Sequence, residues 1–275
     1  MLLRPVALAL ALVLPPALPA QAADAAHIAE LLRMDEVMEV LREEGIAYGE
    51  DLQAELLGGA GGARWDRMVE LIYDPVTLRR RFDRAFAREL PADSPETAAI
   101  AEFLGSDRGQ RIVVLEIEAR RALLDPAVED AARLALDRMR EARDPLLDDL
   151  QRFAEVNDLV ESNVIGALNA NLAFYRGMSE AGAFGTAMPE EDMLAEVWAQ
   201  EDDIRAETVD WLFPFLSLAY SPLPPADFDA YLAFSESEAG QRLNRAIFAA
   251  FDQVFAQVSH DLGRAAAGVL AGQDL

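Results

Sequence analysis

The chain has no cysteine, and its 24 basic residues are all arginine, set against 49 acids and two histidines. Each scarcity removes a class of chemistry. Without cysteine there is no disulfide, no thiol nucleophile, no cysteine-ligated zinc and no iron–sulfur cluster. His27 and His260 are the only imidazoles, too few for a multi-histidine metal centre. A Ser–His–Asp triad would have to use one of them, and no partner is positioned near either in sequence. A formal charge of −25 argues against nucleic acid and anionic headgroups, which are held by basic surfaces. Phosphate-binding glycine loops, a nucleophile elbow and an H-E-x-x-H helix are missing too. No cofactor, no metal and no catalytic residue is expected.

Long apolar runs are also rare. The one clear case is N-terminal, where Arg4 precedes an apolar stretch from Val6 to Leu14 that Pro15, Pro16 and Pro19 interrupt. Ala20-Gln21-Ala22 then has the form of a cleavage site. Residues 1–22 are expected to be a signal peptide cut after Ala22, which makes the protein periplasmic or secreted. The stretch is too short and too proline-broken for a membrane span, so no transmembrane segment is expected after cleavage. No cysteine follows it to carry a lipid anchor.

Strand signals are nearly absent. The only β-branched run, Ile112 to Leu115, sits inside a helical pattern. Helix starts are frequent: Asp74-Pro75, Ser94-Pro95, Asp125-Pro126 and Asp144-Pro145 each place a capping side chain before proline. The expected fold is all-α. A helix over Ala25 to Glu44 is expected to stop at Gly45, and Pro214 is expected to kink or break the helix that ends at Tyr220.

One pattern occurs twice. Phe103-Leu104-Gly105-Ser106-Asp107-Arg108-Gly109-Gln110-Arg111 returns as Phe234-Ser235-Glu236-Ser237-Glu238-Ala239-Gly240-Gln241-Arg242, 131 residues later. Phe, Ser, Gly, Gln and Arg match in place. Ser106 and Ser237 are expected N-caps, with Asp107 and Glu238 in the first turn. Glycine inside a helix is unfavourable by about 1 kcal/mol. Gly109 and Gly240 therefore suggest a backbone passing close by. Phe103 and Phe234 would pack into the corner. Gln110, Arg111, Gln241 and Arg242 are read as structural, with the arginines in surface or inter-repeat ion pairs, and partner binding is the alternative. The expected organisation is two pseudo-repeated helical units packed together, residues 23–145 and 146–275.

The exported N-terminus, the helical pattern and the Phe-x-x-Ser-x-x-Gly-Gln-Arg corner resemble the bacterial family called domain of unknown function 2059. The resemblance implies a small exported helical protein. It departs from the family in carrying the signature twice. It transfers no catalytic residues.

Three functional readings follow. The leading one is a non-enzymatic binding or interaction module of the cell envelope, whose partner is a protein or an apolar ligand. The second is a carrier holding an apolar small ligand in a groove between the repeats. Asn163 and Asn171, near one face of a helix, would supply polar contacts; Trp198, Trp211 and Phe251 would supply the apolar wall. The third is a carboxylate-dependent hydrolase, motivated by runs such as Asp148-Asp149, Glu190-Glu191-Asp192 and Glu201-Asp202-Asp203.

Overall fold

Short polar side chains and proline start many of the helices. The computed structural model describes residues 20–90, 94–185 and 188–272, with side chains from residue 24 onward. The expected n-region and apolar stretch of the signal lie outside the described residues, as does the loop 91–93. Among the described residues the chain is all-α, without a strand. The helices are α1 (Ala20–Leu31), α2 (Met34–Glu55), α3 (Gly62–Ile72), α4 (Pro75–Glu89), α5 (Pro95–Gly105), α6 (Asp107–Ala122) and α7 (Pro126–Ala142). They continue with α8 (Leu146–Val156), α9 (Leu159–Glu180), α10 (Glu190–Trp198), α11 (Glu201–Tyr220), α12 (Pro225–Glu236) and α13 (Glu238–Leu270).

The caps follow the local chemistry. Asp74 accepts from the Thr77 backbone N–H, Ser94 from Thr97 and Asp125 from Ala127, each before a proline in the first turn. One expectation fails. Gly45 does not end a helix; it lies inside α2, and the break comes earlier, at Arg33 with φ 54°. Gly45 is there for contact: a Cβ would fall 2.2 Å from the Tyr73 ring, so only glycine lets α3's end lie against α2. Of the two expectations for Pro214 the break is excluded, because α11 continues across it from Glu201 to Tyr220.

Both motif corners have the same construction. Ser106 Oγ accepts from the Gly109 N–H at 3.0 Å and donates to the Phe103 carbonyl at 2.6 Å. Ser237 does the same with Gly240 at 3.1 Å and Phe234 at 2.6 Å. The close backbone is the motif's own preceding turn. A Cβ on Gly109 would lie 2.2 Å from the Phe103 oxygen, and one on Gly240 2.1 Å from that of Phe234. Phe103 and Phe234 then stack on each other, 4.0 Å between centroids and 5° from parallel.

In the set α1–α6, α1 packs with α5 and α2 with α3 and α4; in the set α8–α13, α8 packs with α12 and α9 with α10 and α11. Arg33 and Asp158, both left-handed, occupy the same place ahead of α2 and α9. The last helix of each set, while packed within its own, also reaches the other. Helix α13 lies on α4, where Arg81 pairs with Asp261 at 3.1 Å and Arg242 Nε donates to the Glu89 carbonyl. Helix α6 lies on α11. The cores follow this exchange. One joins α1–α5, with Val113 and Ile117 of α6, to α13; the other joins Ile112 and Ala119 of α6 to α8, α11 and α12. Both draw on residues from either side of position 145.

Candidate functional site: an apolar cavity with an acceptor end

Helices α9 and α13 run parallel and touch through glycine. A Cβ on Gly177 would lie 2.2 Å from the His260 carbonyl oxygen, and one on Gly263 2.2 Å from that of Phe174. At this end the backbones are in contact. Farther toward the helix starts a cavity of about 730 Å³ opens between α9, α13 and α11. Ile165 and Gly166 lie on the α9 wall, Trp211 and Phe215 on the α11 wall, and Ile247, Phe251 and Phe255 on α13. Trp211 and Phe215 stack at 5.1 Å, 6° from parallel, and Phe251 stacks on Phe255 at 5.8 Å. These rings are only partly covered by protein, which leaves their faces to the cavity.

The far end is polar. Glu116 of α6 enters from the other half of the chain, and both Tyr220 and Tyr231 donate to its Oε1, at 2.7 and 3.0 Å. Its Oε2 takes no hydrogen bond from the protein. Burial pushes the Glu116 carboxyl above the usual carboxylate range, against the two hydroxyls that lower it. Burial, and then the neighbouring carboxylate, pushes both tyrosines well above their ordinary value. Arg120 is one turn further along α6. Its Nε and Nη2 are bound to the two oxygens of Glu44, at 2.6 and 2.8 Å.

The expected groove residues divide. Asn163, Trp211 and Phe251 line the cavity; Asn171 and Trp198 do not. Asn171 is eight residues past Asn163, about 80° around the helix. It faces the turn between α10 and α11, where its Nδ2 donates to Gln200 Oε1 at 2.9 Å. Trp198 ends α10 and is 59% exposed. Sequence reasoning missed Glu116, although a signal was present: it is the single acid in the apolar run from Ile112 to Ile117.

The Gln and Arg of the two motifs bind within the chain. Gln110 Nε2 donates to the carbonyls of Leu31 and Leu104, both at 2.8 Å. Gln241 Nε2 donates to those of Val156 and Ser235, at 2.8 and 2.9 Å. All four carbonyls belong to last turns, where helices leave acceptors without partners, so each glutamine closes two helix ends at once. Arg111 pairs with Asp227 of α12 at 2.9 Å, and Arg242 reaches α4. The acidic runs 148–149, 190–192 and 201–203 lie in the first turns of α8, α10 and α11, where carboxylates suit the helix dipole. Among the described residues no group of three or more acids and histidines is placed to hold a metal ion. No described helix is long and apolar enough to cross a membrane.

No family model matches the chain, and no curated protein or solved structure matches it.

Proposed function

We propose that the protein is an exported, non-enzymatic binding module of the cell envelope that carries an apolar small molecule in the α9–α11–α13 cavity. The cavity carries this reading. Its volume of about 730 Å³ falls within the range of roughly 300–1,000 Å³ typical of small-molecule sites. Its walls carry many aromatic and aliphatic side chains, and a carboxylate with two tyrosine hydroxyls stands at one end, as in sites that bury a ligand's body and orient it by its head. The signal-like N-terminus supports export. The doubled corner supports kinship with the exported family named above.

Gly166 supplies the test. It lines the cavity, and a Cβ there would meet nothing within 4 Å. Gly166→Trp is expected to fill the space and abolish binding of a neutral apolar fluorophore such as N-phenyl-1-naphthylamine, with an unchanged helical spectrum and thermal midpoint. Equal fluorophore binding by both proteins would refute the assignment.

A further inference from the structure

The polar groups at the Glu116 end of the cavity share one property, which goes beyond the apolar reading and rests on the cavity being a ligand site. They present acceptors. Farther along the cavity the side-chain amides of Asn157, Asn163, Asn169 and Asn244 each give one N–H, to the Phe153 carbonyl, the Leu159 carbonyl, Asp252 Oδ1 and the Asn157 carbonyl, and keep the other. Their amide oxygens accept nothing from the protein. Both tyrosine hydroxyls spend their protons on Glu116 Oε1, leaving their oxygen lone pairs and Oε2. The one arginine in the lining is committed to Glu44 in a two-point pair. Serine hydroxyls in the lining adapt to either role. A carboxylate or phosphate head seated beside Glu116 would therefore meet acceptors and a like charge.

We infer that the cavity selects an amphiphile whose polar end donates hydrogen bonds, an alkyl or aryl amine in its ammonium form, seated on Glu116 Oε2 with its apolar body along the rings of α11 and α13. An ammonium supplies donors and no acceptor. It would form a charge-assisted bond with the carboxylate at the cavity's end, where shielding from bulk water strengthens it.

Calorimetric titration of the full mature chain with n-octylammonium, 1-octanol and octanoate decides the matter. It is run near neutral pH in about 1 M NaCl, where the Debye length falls to about 3 Å and the acidic surface contributes little. The expected order is octylammonium tightest, with an advantage over octanoate of about tenfold or more, the scale of one charge-assisted bond. Glu116→Gln is expected to abolish that advantage and leave octanol binding in place. Tyr231→Phe keeps the carboxylate and is expected to keep the advantage, which separates charge from packing. Octanoate binding as well as octylammonium to the unaltered protein overturns the inference, whatever the variants do. So does an amine preference that survives Glu116→Gln. Octanol binding without amine preference leaves the apolar-carrier reading standing and removes only this one. Binding of none of the three removes both.

Discussion

Glu116 sits on the sequence as an acid among aliphatic residues, and in the fold that position places a half-buried carboxylate at the end of a cavity. Its folded value is raised by burial. A carboxyl raised above its unfolded value of about 4.3 binds its proton more tightly when folded. Its contribution to stability is full below that value and is lost as pH rises through the folded one. Glu116→Gln removes the titration. Denaturant unfolding of both proteins from acidic to neutral pH is expected to show the variant gaining on the parent as pH rises; parallel curves would contradict the placement. Two glycines give a second contrast at this scale. Gly240→Ala drives a Cβ against the Phe234 carbonyl, an atom of backbone that cannot turn aside, and is expected to lose about 2 kcal/mol or more. Gly166→Ala meets open space in mid-helix and is expected to gain about 1 kcal/mol. Urea midpoints measure both, and a harmless Gly240→Ala would undo the account of the corner.

Among the elements, helix starts were legible because capping is local: Asp74, Ser94, Ser106, Asp125 and Ser237 all act as their neighbours imply. Gly45 was not, because a glycine that stops a helix and one that admits a ring look alike in sequence. Tyr73 is 28 positions away, and nothing local announces it. The glutamine clamps were half legible. Their repetition marked them, but their partners, Leu31 and Val156, are distant in the chain. Losing either clamp strands two helix-end carbonyls, at about 1–3 kcal/mol for each that stays buried without a partner. Gln110→Ala and Gln241→Ala are each expected to lower stability by about 2 kcal/mol or more, measured by urea denaturation. A loss within error of zero for both would mean that solvent serves those carbonyls.

At the scale of the molecule, the all-α fold was legible and the exchange of last helices was not. Periodicity shows which face of α13 is apolar. It does not show that α13 covers Phe82 and Phe86 of α4 while α6 turns Ile112 and Ala119 to the other core. For the same reason the cavity was partly visible, through Asn163, Trp211 and Phe251, while its acid end was hidden, since Glu116 reaches it only through the crossing. A division at residue 145 strips each core of a helix. Fragments 23–145 and 146–275 are therefore each expected to unfold without cooperativity alone and to regain a cooperative transition when mixed, as followed by circular dichroism. A lone fragment melting cooperatively at the temperature of the whole protein would show that the crossing is dispensable.

The central claim is that the α9–α11–α13 cavity carries a small molecule. Native mass spectrometry of the protein recovered from its own host, beside Gly166→Trp, tests it most directly. The account predicts that the parent travels with a non-covalent organic adduct and that the plugged variant travels bare. Two bare chains, or the same adduct on both, would contradict it.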